Sequence, residues 1–578
     1  MQEGPGTRGR EILRSTEEIN RAISERLKEG KTLRISGLRG QDRIAAHMDK
    51  TGRLILEGEL GDYAVALNRR LLVTVKGSAG RFLCWRMRGG EVVIEGEVGD
   101  EAALGVEEGR ILIRGDVKGS VASYLKGGVV VVNGNVKGEV AAGGGGGLVV
   151  VMGEVKGEVA PSGTRVLLEP SRVPLLKRKE MKKLTPQELK EVRELLGEWA
   201  PGDLENYLLL RAKHVQEVIT ERRMPSSGGP FRHPTNLRRI LLTMDPFSQT
   251  GPSAPIYLKS RIGEGSPVVL PEPFFIPHHL LTPLNEATRQ AVVAFSLKSG
   301  IPLFIGREAM GKEFMDALKS ITYFTVMRPP DPFPQGEILD SASGVVFDLT
   351  SRVGGVSLPF RELKDPRDML KLIQLFREEM GLRVVVFYPS GAAFRLTGLV
   401  ALSGADGAVL LTSSAPYGTA GGFGNPPHTT GDIESLSGAH LALEELEGRG
   451  KGTSLMLDGG VAEGEEVVKA LSMGARAVSL APFILKWLGC RGCEVCEPQS
   501  CPASILEGSG DPPWAWDEMA ERLIDEYGKL REDVEGCIRR MGLKGVQELS
   551  RKNLLALDWE SAYVTSLPLA GLERRVQD

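Results

Sequence analysis

A chain of 578 residues is long enough for more than one domain with its own core, and 41% apolar with 25% charged content is ordinary for a globular protein. With 72 basic and 75 acidic residues the net charge is −3, which excludes a strong pull toward nucleic acid or an anionic membrane. No run of about 18 apolar residues offers a transmembrane helix, no apolar signal-peptide core precedes Lys31, and four of the six cysteines cluster while Cys84 and Cys537 stand alone, as in a reducing cytoplasm.

In chain order, residues 1–30 hold one helix. Over 16–30, Thr16 can cap it, Gly30 lies just past its end, and Ile19, Ile23 and Leu27 share one face for packing.

Residues 31–170 carry an internal repeat. Gly58, Gly77, Gly96, Gly115, Gly134 and Gly153 are nineteen residues apart, each preceded by a short apolar run such as Val92–Ile94 or Val129–Val132. Second glycines follow at Gly61, Gly80 and Gly99, then at Gly119, Gly138 and Gly157. Beyond them stands a small residue at Ala64, Ala102, Ala122, Ala141 and Ala160, with Leu83 the exception. A fixed period of this length predicts a solenoid: a right-handed parallel β-helix of about six coils. Its glycines are expected to turn corners that need unusual φ. Gly143–Gly147 lacks the following Lys and Ser/Thr of a nucleotide loop.

Residues 171–235 read as a helical linker. Thr185, Pro186 and Glu188 form a helix start, a second helix spans 203–223, and Lys177–Lys183 is a basic, solvated face. From 236 to 578, apolar strands (Pro302–Ile305, Gly344–Leu349, Arg383–Tyr388, Gly407–Leu411, Ser454–Leu457, Ala477–Leu480) alternate with helical stretches at 285–299, 366–380, 391–403 and 435–447. The α/β pattern predicts a (β/α)8 TIM-type barrel, followed by a long amphipathic helix over 516–541. Polar residues fall near strand ends at His278, His279, Thr412, Ser413, Tyr417, Thr419 and His428. A lone His-His pair is more often packing than function. Ser413 with His428 lacks a nucleophile elbow.

The densest chemistry is Cys490, Cys493, Cys496 and Cys501 before Pro502, spaced C-x2-C-x2-C-x4-C-P. Thiolates this close suit one compact metal centre. An iron–sulfur cluster fits the run better than a zinc site built on two separated knuckles, and a redox or structural role is the remaining alternative. Upstream, Asp458-Gly459-Gly460 ends a strand and Leu480-Ala481 ends the next. In a TIM-type barrel the loops after the last two strands commonly hold a phosphate on backbone N–H groups.

This region resembles the flavin-binding barrel of the glutamate synthase large chain, where a DGG turn precedes a GA-containing strand, an LGC and a C-x5-C-x4-CP run holding a [3Fe-4S] cluster. Cys490, Cys496 and Cys501 match that spacing; Cys493 is additional and makes a [4Fe-4S] cluster possible. The repeat is similar to the glycine-repeat domain of the same family, and of formylmethanofuran dehydrogenase, in permuted order and with an architectural role. The resemblance implies FMN on Thr412, Asp458, Gly459, Gly460, Gly474, Leu480 and Ala481. Elsewhere the loops depart from the pattern. Phe387 stands where the family has a lysine, Ser414 and Ala415 replace a His and an Asp, one glycine-rich loop is shortened to Ser351–Gly355, and another survives only as Ile305–Gly311.

The resemblance implies a glutamate-synthase-type oxidoreductase subunit with FMN and an iron–sulfur cluster, acting on a small-molecule imine or related acceptor. Met1-Gln2 supplies no N-terminal cysteine nucleophile and no dinucleotide fingerprint is evident. A separate glutaminase-type amidotransferase or ammonia, and a ferredoxin-like or NAD(P)H-oxidising subunit, are therefore expected in a hetero-complex or oligomer, with no nucleic-acid or membrane partner. The altered loops carry an alternative: a scaffold or electron-relay subunit that kept the cluster and lost flavin chemistry.

Overall fold

The computed structural model describes residues 15–27, 30–159, 162–168, 236–243, 255–264, 267–306, 318–327, 336–350, 352–353, 356–357, 363, 366–412, 431–446, 452–491 and 501–570. The chain divides into two compact units, Met1–Ile219 and Thr220–Asp578. The expected linker helices of 171–235 lie outside the described residues. Among the described residues no helix is long and apolar enough to cross a membrane.

The N-terminal unit starts with α1 (Thr16–Arg26), capped by Ser15 rather than Thr16. Ser15 and Glu18 form a reciprocal capping box, while the Thr16 hydroxyl donates to the Asp42 carbonyl at 2.9 Å. The expected stripe of Ile19, Ile23 and Leu27 is buried. On the same helix, buried Asn20 donates to Arg43 O (3.0 Å) and accepts from Ala45 N–H (2.8 Å), so its amide satisfies the backbone of the first coil.

Eight strands follow: β1 (Thr32–Gln41), β2 (Gly52–Leu60), β3 (Leu71–Lys76), β4 (Arg88–Ile94), β5 (Glu108–Ile113), β6 (Val129–Val132), β7 (Leu148–Val151) and β8 (Arg165–Leu168). They form one parallel sheet in sequence order. Val73, Val92, Ile111, Val130 and Val149 align across it, nineteen residues per step. Two further columns of parallel bridges keep the same step, Ala79–Val98–Val117–Val136–Val155 and Ala102–Val121–Val140–Val159. Nearly all of these side chains are buried, and a fully buried valine stabilises by roughly 1.5–3 kcal/mol. Side chains also clamp the coils together. Asp62 Oδ1 accepts from Arg81 N–H (2.7 Å), Asp116 Oδ1 from Asn135 N–H (2.7 Å), and Asn135 Oδ1 from Glu154 N–H (2.8 Å).

The leading glycines only partly do the job expected: Gly58 and Gly77 take positive φ, 123° and 156°, but the four that follow do not. Gly96, Gly115, Gly134 and Gly153 are not left-handed; a Cβ at Gly96 would stand 2.5 Å from Gly77 O, and at Gly115 2.4 Å from Gly96 O. They are glycine because successive repeats touch backbone to backbone. Left-handed φ is carried instead by non-glycine residues at alternate positions, among them Tyr63, Val65 and Leu67, then Phe82, Cys84 and Arg86. Each costs about 1–2 kcal/mol, offset by inter-coil bonds such as Tyr63 N–H to Arg81 O (2.9 Å) and Val65 N–H to Ile44 O (2.8 Å). The small residues fall into two columns rather than one: Ala102 pairs with Val121, whereas Ala122 N–H donates to Ala102 O at 2.8 Å. Ala160 lies outside the described residues.

The second unit holds an eight-stranded parallel, TIM-like barrel: β9 (Phe274–Phe275), β10 (Leu303–Ile305), β11 (Tyr323–Met327), β12 (Gly344–Asp348), β13 (Arg383–Pro389), β14 (Gly407–Leu411), β15 (Ser454–Asp458) and β16 (Ala477–Ser479). β9 pairs with β16, and the Ile276–Leu303 bridge brings the ring to near closure. Strands β9 and β11 were not anticipated from the sequence. Phe275, Phe304, Phe324, Val346, Val385, Phe387 and Val409 belong to one core cluster. Outside run α2 (Glu286–Ser299), α3 (Pro366–Gln374), α4 (Ala393–Leu402), α5 (Asp432–Glu445), α6 (Gly464–Ser472), α7 (Ala481–Trp487) and α8 (Trp516–Arg540). On α8, Tyr527 meets Phe274 and Phe295 edge-on at 5.9 and 5.5 Å and its hydroxyl donates to buried Glu272. The long helix thereby packs against the barrel's first strand.

Gly96→Val and Gly115→Val are expected to lower stability by about 1–3 kcal/mol or more, through overpacking against the preceding coil's carbonyl. Chemical denaturation followed by circular dichroism checks this; an unchanged midpoint would refute backbone contact between coils.

Candidate functional site

Several of the second unit's buried polar side chains lie at or just beyond the C-terminal ends of barrel strands. β9 runs into Ile276 and Pro277, which deliver His278 and His279, 0% and 6% exposed. β12 ends at Asp348, also 0% exposed. His278 Nε2 lies 3.0 Å from Asp348 Oδ2. Asp348 Oδ1 accepts from the Thr350 amide at 2.8 Å and from the Thr350 hydroxyl, which is itself 3.5 Å from His279 Nε2. Burial alone would raise the Asp348 pKa; the His278 hydrogen bond, the two imidazoles and Thr350 outweigh it and hold the carboxyl far below its usual range. The imidazoles sit 3.7 Å apart between centroids, and Phe387 presses edge-on to both, at 5.1 and 5.7 Å.

A second group forms where β14 and β15 end. The Thr412 hydroxyl donates to Asp432 Oδ1 at 2.7 Å, and Thr412 N–H to Asp458 O at 3.1 Å. Asp432 and Asp458 are both 0% exposed. A Cβ at Gly459 would stand 2.2 Å from Asp432 Oδ1 and 2.9 Å from Thr412 Oγ1. Glycine there admits the chain's own carboxylate. Leu480 N–H donates to Phe275 O (2.9 Å) and Ala481 N–H to Ser479 Oγ (3.1 Å).

Thr412, Asp458 and Gly459 are therefore together, and Leu480 and Ala481 follow β16 at the same end of the barrel. Gly460 follows the β15 turn. Gly474 is not among them: it precedes β16, at the opposite end of that strand, where φ of 113° ends the α6 connection. Of the cysteine run, Cys490 and Cys501 are half-buried. Cys490 N–H donates to Leu485 O at 2.9 Å, which sets it one turn beyond α7. Cys493 and Cys496 lie outside the described residues, as do Ser413, Ser414, Ala415, Tyr417, Thr419 and His428. Sequence reasoning missed Asp348, Thr350 and Asp432. An acidic residue ending the apolar run Gly344–Phe347 was the available signal for the first.

Residues 357–542 match the family model described as the conserved region in glutamate synthase. The ferredoxin-dependent glutamate synthase of Pyropia yezoensis is 23% identical over 168 residues, 29% of this chain and 10% of that protein. The archaeal-type glutamate synthase [NADPH] of Thermotoga neapolitana is 28% identical over 171 residues, 27% of this chain and 32% of that protein. The matches thus span a minor part of the relatives' own length. The flavin-binding domain of baker's yeast flavocytochrome b2 is similar at 17% identity, covering 57% of this chain and 80% of that one with a TM-score of 0.39, too distant to bear on ligands. The likeness to glutamate synthases thus rests on residues 357–542 by the family model and on relatives under 30% identical.

Proposed function

We propose that the chain is a redox subunit of a glutamate-synthase-type oxidoreductase, serving the reduction of an imine or related acceptor to an amino group. One observation carries this reading: the family match at 357–542 contains the last four barrel strands, the Asp458–Gly460 turn and the cysteine run together. Four closely spaced thiols suit an iron–sulfur cluster, [3Fe-4S] or [4Fe-4S], which would supply one-electron transfer when bound. Cys490, Cys493, Cys496 and Cys501 would hold it. A glutaminase-type amidotransferase subunit would supply ammonia, and a ferredoxin-like or NAD(P)H-oxidising subunit the electrons.

FMN is the further cofactor the likeness to glutamate synthases suggests, and among the described residues the turn where the sequence put its phosphate is already filled by the chain's own groups. Gly459 is backed by the Asp432 carboxylate, and the Leu480 and Ala481 amides already have acceptors. Phe387 is fully buried in the barrel core and offers no cation. No flavin step is derived. These observations favour the finer reading of a relay subunit that keeps the cluster on the family scaffold.

We further infer that residues 31–170 form a right-handed parallel β-helix of about six coils with an architectural role. The three parallel-paired columns at a nineteen-residue step support it.

Protein purified anaerobically is expected to contain iron and sulfide and to absorb in the visible. Cys490→Ser, Cys496→Ser and Cys501→Ser should each abolish that absorption, and Cys493→Ser should leave a three-iron cluster at most. Stoichiometric zinc without iron would refute the cluster. Separately, FMN fluorescence should stay unquenched when cluster-loaded protein is added. Quenching at micromolar protein would restore the flavin-bearing reading.

A further inference from the structure

We propose that His278, His279 and Asp348 form a binding site for a divalent first-row transition ion of the zinc or ferrous class, distinct from the cysteine run. One donor atom from each of the three side chains lies within 4.8 Å of the others. All three residues are more than nine-tenths buried. Two imidazole nitrogens and one carboxylate oxygen are the mixed borderline set such ions take.

The geometry is close to what a metal requires. Metal–ligand bonds near 2.1 Å in a tetrahedral site put neighbouring donors about 3.4 Å apart. His278 Nε2 and Asp348 Oδ2 stand at 3.0 Å, so an ion replacing their shared proton asks for a movement of tenths of an ångström. Asp348 is already oriented for one-oxygen ligation. Its Oδ1 is held by the Thr350 amide and hydroxyl, leaving Oδ2 toward the histidines. Outer contacts of this kind orient the ligands of metal centres. The two rings lie 3.7 Å apart between centroids, so both can face one ion. Among the described residues, His278 Nδ1 has no hydrogen-bond partner although it is buried.

The site is independent of whether FMN binds, and the test separates it from the cluster. Co2+ is titrated into full-length, cluster-loaded protein and, in parallel, into the chain carrying Cys490→Ser, Cys493→Ser, Cys496→Ser and Cys501→Ser. One equivalent should bind in both, giving the visible bands of low-coordinate cobalt without a sulfur-to-cobalt charge-transfer band. His279→Gln and Asp348→Asn should weaken binding at least about 10-fold, with circular dichroism confirming that each variant is folded. If those variants do not fold, X-ray absorption of the zinc-loaded serine variant is the second measurement. Imidazole scattering is expected there, and its absence would overturn the site. Failure of folded protein to bind cobalt, or binding unaffected by both substitutions, would overturn it equally. Loss of the iron–sulfur cluster alone would refute the redox reading and leave this site standing.

Discussion

The second unit depends on a strand two residues long. β9 carries Phe274 and Phe275 between the last strand and the second. Val478 N–H donates to Pro273 O and Leu480 N–H to Phe275 O, both at 2.9 Å; on the other side Ile276 N–H donates to Pro302 O and Phe304 N–H to Ile276 O. Without these four bonds the barrel would be an open sheet with two bare edges. The same strand ends in Pro277, which directs the chain into His278 and His279, so barrel closure and placement of the histidine pair are one structural fact. Closure also consumes the Leu480 amide, one of the donors that a phosphate at this end of the barrel would want.

Charge sharpens that conflict. Asp348 and Asp458 end barrel strands and Asp432 opens α5, and all three are at zero exposure. Two like charges about 4 Å apart in a protein setting repel by about 4 kcal/mol, so a phosphate beside Asp432 would have to displace it. Asp348 is different, because the neighbouring imidazoles hold its charge. A cationic ligand suits this end of the barrel better than an anionic one.

Much of the fold was legible because apolar strands buried on both faces leave unbroken runs. Val384–Val386, Val129–Val132 and Gly407–Leu411 are such runs, and all are strands. β9 is too short to show any period, and β11 hides because Thr325 interrupts its run of large side chains. The nineteen-residue spacing announced stacked repeats, yet it could not tell a glycine required by φ from one required by close approach. That distinction lies in atoms of the neighbouring coil. At the candidate site the histidine pair was visible, but its partner Asp348 stands 70 residues away. Only the parallel ring brings the two strand ends together. The Thr412–Asp432 contact was hidden for the same reason, joining a strand end to the first turn of α5.

The side-chain clamps of the N-terminal unit constrain how such a chain can change in length. Asp62 reaches the amide of Arg81, Asp116 that of Asn135, and Asn135 that of Glu154, each nineteen residues on. Asn135 is donor to one neighbouring repeat and acceptor to the other. A single residue inserted within such a clamped stretch would shift donors out of step with acceptors; elsewhere the sheet absorbs one in a register shift, as between Ser36 and Leu38 or between Arg88 and Glu91. A whole added repeat disturbs neither, since its two edges match those it meets. The clamped stretch therefore changes length most readily by complete repeats, like a thread whose pitch is fixed by its own cut.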